Sequence, residues 1–145
     1  MFRILKITIV SITLLFVKSL SFSNDNFFNE ALKFYENEKY DDARFLFERN
    51  IVYNPKDATS YLYLAKIYNH EKNQRKEEHN LETALLIEPD NEEAILMMMK
   101  ISIEKSNFDR VKILSDRFSR VCKNLCDENK IINESLRNID PKNES

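Results

Sequence analysis

Three observations predict an all-α protein built from stacked helical hairpins. Pro55 and Pro89 lie 34 residues apart (89 − 55) in the like settings Tyr53-Asn54-Pro55-Lys56-Asp57 and Ile87-Glu88-Pro89-Asp90-Asn91. Lys39-Tyr40-Asp41-Asp42-Ala43 returns as Asn107-Phe108-Asp109-Arg110-Val111, two periods on (108 − 40 = 68), and the match runs through Phe45/Ile113, Leu46/Leu114, Glu48/Asp116 and Arg49/Arg117. A period of this length is that of helix-turn-helix units that bury their apolar faces against each other. The third observation is that none of the 145 residues is glycine. That argues against hairpin-rich β folds and removes every glycine-built phosphate loop.

Apolar residues make up 43% of the chain and charged ones 32%, a balance that suits amphipathic helices. Arg3, Lys6 and Lys18 are the only charges before Asp25; without them 19 basic side chains face 24 acidic ones, a net −5. An acidic body without a basic cluster argues against nucleic acid as a partner.

At the N-terminus the order is basic, apolar, then small. Arg3 and Lys6 precede the apolar run Ile7 to Val17, and Ser19, Ser21 and Ser23 follow. This is the order of a secretory signal peptide over residues 1–23, with cleavage after Ser23 or Ser21. The competing reading is an uncleaved inner-membrane anchor in residues 4–17, although Lys18 closes the run short of a full span. Either reading exports the body, to the periplasm if the source is bacterial, and contact with a membrane is expected only if the segment stays on.

The body spans residues 24–140. Phe27, Phe28, Ala31, Leu32, Phe34 and Tyr35 share one face of a first helix, and Asn37 is expected to close it in the left-handed conformation. A second helix runs from about Tyr40 to Tyr53, with Ala43, Phe47 and Ile51 along one stripe, and Pro55 bars its continuation. The pattern restarts near Ala58, where Tyr61, Leu64, Ala65 and Tyr68 fall at i, i+3, i+4 and i+7. His70 to Asn80 is polar, and the partner helix is clear again only at Leu81, Ala84 and Leu85. Glu92 to Lys105 and Phe108 to Val121 form a third pair. Leu125, Ile132, Leu136 and Ile139 then fit one stripe, read as a polar-backed capping helix over about 125–139, and 141–145 is a tail.

These residues make the chain resemble a tetratricopeptide-repeat protein. Tyr61, Leu64, Ala65 and Tyr68 match the family pattern for the first helix of a repeat. Tyr40, Ala43, Phe47 and Pro55 match most of the second-helix pattern, and Leu81, Ala84 and Pro89 match part of it. The resemblance covers about residues 24–122, in repeats of about 24–57, 58–91 and 92–122. It implies a right-handed superhelical stack of antiparallel helix pairs. The departures are Glu77 and Asn50 at alanine positions, Met99 at a small one, Phe118 at the later alanine, and no closing proline in the third repeat. Glu77 predicts a looser middle hairpin.

The resemblance also implies a concave groove that grips a segment of another protein. Its matching positions are Phe28, Leu32 and Tyr35; Leu62, Lys66 and Asn69; and Leu96, Lys100 and Ile103. A ligand that is apolar with an acidic group would suit Lys66 and Lys100; the alternative is that Phe28, Leu62 and Leu96 only pack between helices. The family's carboxylate clamp needs basic residues at Phe28, Leu62 and Leu96 and is not carried over.

Cys122 and Cys126 are the only cysteines. A disulfide, two free thiols and a metal pair are all open readings, and a disulfide requires the helix to end near Lys123-Asn124. His70 and His79 read as a metal or pH-sensitive site, or as two solvated loop residues. Met97-Met98-Met99 reads as an adaptable binding surface or as core filler. No catalytic residue, metal or cofactor is expected. The function expected is an exported interaction module, against a structural subunit of an oligomer and, remotely, a thiol- or metal-dependent enzyme.

Overall fold

A computed structural model describes residues 26–139; the leader and anchor readings (1–23 and 4–17) and the tail (141–145) lie outside them. Among the described residues there are seven helices and no strands. They are α1 (Asn26–Glu36), α2 (Tyr40–Tyr53), α3 (Ala58–His70), α4 (Gln74–Ile87), α5 (Glu92–Glu104), α6 (Phe108–Val121) and α7 (Cys126–Ile139). Each helix packs on the next, and α7 also reaches back to α5. None of the described helices is long and apolar enough to cross a membrane.

A tight turn between antiparallel helices needs a left-handed residue, usually glycine. This chain uses Glu38 (φ 58°), Lys72 (φ 57°) and Ser106 (φ 55°), each 34 residues from the next. The following N–H then closes each turn: Lys39 donates to the Phe34 carbonyl (2.9 Å), Asn73 to Tyr68 (2.8 Å) and Asn107 to Ser102 (2.8 Å). The left-handed residue after α1 is therefore Glu38 and not Asn37, whose side-chain amide instead caps the Lys33 carbonyl at 2.7 Å. The position is set by where the last helical carbonyls need donors, and that overrides the preference of asparagine.

The starts of α3, α4, α5 and α6 are set by side-chain caps. Asp57 accepts from the Thr59 N–H (3.2 Å), Asn73 from Lys76 (3.3 Å), Asn91 from Ala94 (3.0 Å) and Asn107 from Arg110 (3.1 Å). The Asn73 cap starts α4 at Gln74, so much of the polar stretch read between His70 and Asn80 is helix. Nor is the middle hairpin loose at Glu77. That side chain is buried and accepts from the Asn69 amide at 3.0 Å. The same two positions hold Tyr35 and Ala43 one repeat earlier and Ile103 and Val111 one repeat later, so a polar pair stands in for apolar ones. Asn50 is explained alike: its buried amide donates to Asp57 (2.7 Å) and Ser60 (2.9 Å), tying α2 to the cap of α3.

The hairpins are also joined by a contact that repeats with its charges exchanged. Arg44 of α2 pairs with Glu71 after α3, and Glu78 of α4 pairs with Lys105 after α5. Both partners shift by 34 residues, and acid and base trade places. Arg110 adds bonds to Glu78 (2.9 Å) and Glu82 (3.1 Å). Partly exposed pairs of this kind contribute about 0–1 kcal/mol each, so they set register more than stability.

Burial supplies the bulk of the stability. Ala31, Ala43, Leu46, Phe47, Leu64, Ile67 and Tyr68 form one core, between α1, α2 and α3. Leu62, Ala65, Leu81, Ala84, Ile95, Met99, Val111, Phe118, Ile132 and Leu136 belong to a larger second core, which runs on to α7. Helix α3 serves both, which is why it is apolar on more than one side. Met98 and Met99 are fully buried, so the methionine run is mainly core, with Met97 partly buried at its edge. Leu125 lies ahead of α7 and is exposed, while Ile132 and Leu136 carry the docking stripe.

Candidate functional site

An aromatic row joins the first helices α1 and α3. Phe28 meets Tyr63 edge-on at 6.2 Å and Phe47 at 5.7 Å; Tyr35 meets Tyr63 at 4.9 Å and Tyr40 at 5.5 Å. Tyr63 lies flat on Phe47 at 5.1 Å. The Phe28, Tyr35 and Tyr63 rings are half-buried, hence held in place yet open on one side. Burial, with the nearby Tyr40, Tyr63 and Glu93, pushes the Tyr35 hydroxyl above its ordinary range, so it remains a proton donor at neutral pH.

Lys66 continues the row. Its ammonium sits 4.7 Å from the centre of the Tyr63 ring and pairs with Glu93 of α5 at 2.7 Å. The charge expected to meet an acidic ligand is therefore already matched, and Lys100 alone of the two lysines is exposed without a described ion pair. Other expected groove residues part company. Phe28, Leu32 and Tyr35 are half-buried on α1, and Ile103 is half-buried against the second core. Leu62 and Leu96 are 5% and 6% exposed and belong to that core, so they are helix packing and not groove lining. Asn69 spends its amide on Glu77 inside its own hairpin.

Two residues of this face were not singled out from the sequence, Tyr63 and Glu93. The signal was there for Tyr63, an aromatic three residues before Lys66 and so on the same side of the helix. Glu93 has no such signal, because only the packing of α5 on α3 brings it to Lys66.

The joint between α6 and α7 is a second constellation. Cys122 and Cys126 are joined by a disulfide, with Cα atoms 5.3 Å apart across a four-residue break in the helix. Glu92, at the start of α5, accepts three backbone N–H bonds there, from Lys123 (2.9 Å), Asn124 (3.1 Å) and Leu125 (2.9 Å). The Leu125 bond leads in holding this carboxyl below the ordinary range, with those of Asn124 and Lys123 and the Lys123 charge behind it.

The histidines have different surroundings. His70 packs on the Tyr40 ring at 4.3 Å, and His79 lines an open polar hollow of about 740 Å³ with Asn73, Arg75, Lys76, Glu78 and Glu82. Among the described residues no three His, Cys, Asp or Glu side chains gather to hold a metal.

No family model matches the chain, and no curated protein matches it in sequence. Solved structures do match. The Yersinia enterocolitica type III secretion chaperone SycD, in complex with a peptide of the translocator YopD, is 15% identical with a TM-score of 0.71, covering 88% of this chain and 99% of that one. The Arabidopsis OM64 TPR domain is 16% identical with a TM-score of 0.70, covering 80% and 95%. The first TPR domain of Spaghetti (RPAP3), bound to an HSP90 peptide, is 16% identical with a TM-score of 0.65, covering 77% and 93%. At these identities the likeness speaks for architecture alone, and the architecture of this chain is the all-helical repeat fold of tetratricopeptide-repeat domains.

Proposed function

We propose that this chain is an exported peptide-binding module, whose first-helix face takes an apolar, aromatic-bearing segment of another envelope or secreted protein. The observation that carries this is the row of half-buried rings Phe28, Tyr35 and Tyr63, pinned from beneath by Phe47 and flanked by Lys66 and Glu93. Rigid aromatic side chains give contact area at low entropic cost, and the Tyr35 and Tyr63 hydroxyls can bond a ligand's backbone. RPAP3 and SycD, similar in fold, were each solved with a peptide. The signal-like order of residues 1–23 supports export. Lys100, free of Glu93, is the group offered to an acidic side chain of the ligand.

A displayed library of random peptides, selected on the purified chain, tests the reading. Selected peptides should share apolar or aromatic anchors, and Tyr63→Ala should weaken them about tenfold. Phe45→Ala removes a ring 62% exposed on α2, away from this face, and should leave binding unchanged. Peptides that bind Tyr63→Ala as well as the parent, or that follow Phe45, would overturn it.

A further inference from the structure

The third joint of the stack has lost the local devices that hold the other two. In the first joint Pro55 stops α2 and Asp57 caps α3; in the second Pro89 stops α4 and Asn91 caps α5. Moving on by 34 residues puts Lys123 at the proline position and Leu125 at the cap position. Lysine does not restrict the backbone as proline does, and leucine has no side-chain acceptor. Cys122 and Cys126 occupy the flanking positions, equivalent to Glu88 and Glu92, and their bond closes the loop those devices would have shaped.

From this substitution we infer that the Cys122–Cys126 disulfide is a redox latch on the capping helix α7, closed where thiols are oxidised and open where they are reduced. The bond is accessible, since Cys126 is exposed and Cys122 half-buried. Opening is a two-electron exchange with a thiol reductant. A reductant thiolate attacks the Cys126 sulfur and expels Cys122 as a thiolate. A second reductant thiolate then displaces Cys126 from the mixed disulfide, leaving two cysteine thiols and one reductant disulfide.

Once the latch is open, the loop is held by the Glu92 carboxylate, and α7 by Ile132, Leu136 and the Ser115 contacts with Asn129 (2.9 Å) and Asn133 (3.1 Å). Among the described side chains, these contacts dock a helix whose other face is polar. Its release would uncover the end of the second core around Leu114 and Phe118, an apolar surface the oxidised chain keeps covered. The latch therefore governs whether the stack ends in a cap or in an open apolar edge.

Hydrogen exchange on the full chain, in dithiothreitol and in oxidised buffer at one pH, tests this. Reduction should speed exchange of the α7 amides about 10- to 30-fold, the scale set by opening so short a covalent loop, and leave α1 to α4 unchanged. The Cys122→Ser/Cys126→Ser variant should exchange like the reduced chain in both buffers. Adding Leu125→Asn, which restores the cap of the earlier joint, should return protection to α7 without a disulfide. Equal α7 exchange in the two buffers, or a rise spread evenly over all seven helices, would overturn the inference.

Discussion

Replacing Glu38, Lys72 and Ser106 by glycine tests the account of the hairpin turns most directly. All three hold φ between 55° and 58°, and a side chain with a Cβ pays roughly 1–2 kcal/mol to sit there. Glycine removes that penalty but loses about 0.4–1 kcal/mol through the freer unfolded chain. The three side chains are exposed, so little packing goes with them. Each substitution should therefore stabilise by about 0.5–1 kcal/mol, a net of the two effects. The turns share no partner, so the triple variant should gain about 1.5–3 kcal/mol. For a domain of this size that is a rise in Tm of about 5–12 °C. Asn37→Gly is the control, since Asn37 precedes the left-handed residue and its amide caps Lys33; it should destabilise by about 1 kcal/mol. Urea melts of the parent and the five variants decide the matter. If glycine at the three turns destabilises as it does at residue 37, the turns are not held as described.

Two further outcomes concern pH. Burial raises the Glu77 carboxyl above its ordinary range, Glu104 and Glu78 add to it, and the Asn69 bond opposes it. A raised folded value means stability is highest below the unfolded value and falls as pH climbs through the folded one. Glu77→Gln should thus be more stable than the parent at pH 7 and lose that advantage near pH 4, and a urea midpoint difference that stays flat across this range would refute it. Glu92 has the opposite sign, its carboxyl being lowered by the Leu125, Asn124 and Lys123 amides, with the Lys123 charge beside it. Its contribution is full above the unfolded value and is lost as pH falls below about 4. Amide exchange at Lys123 to Leu125, corrected for intrinsic pH dependence, should rise there in the parent, while Glu92→Gln should already exchange fast at pH 7.

Much of the fold was legible because it is local and repeated. The echo of Pro55 in Pro89 repeats one local setting, and the stripes of α2 and α3 each follow from residues a few positions apart. Where the local reading failed, a competing demand won. Asn37 has the better left-handed propensity, but the carbonyls of Phe34 and Tyr35 needed donors one residue later. The polar start of α4 looked like loop because its buried side chains, Glu77 and Asn80, are polar, and Glu77 finds its Asn69 partner only in space.

The site was less legible, since a groove is defined by which side of a helix is left over after packing. Periodicity identified apolar positions on α3 without saying which of its two cores each would join. Leu62 and Leu96 matched the groove pattern but went into the second core, while Tyr63 stayed at the surface over Phe47. The sequence alone determined that this is an all-helical stack with a 34-residue repeat, because proline, cap and stripe act within one hairpin. Tertiary structure alone decided that Lys66 would be neutralised by Glu93, that Asn69 would turn inward to Glu77, and that Glu92 would reach the α6–α7 joint. Each of those partners lies on a different segment of the chain from its mate, and the distance between the segments is not written in either one.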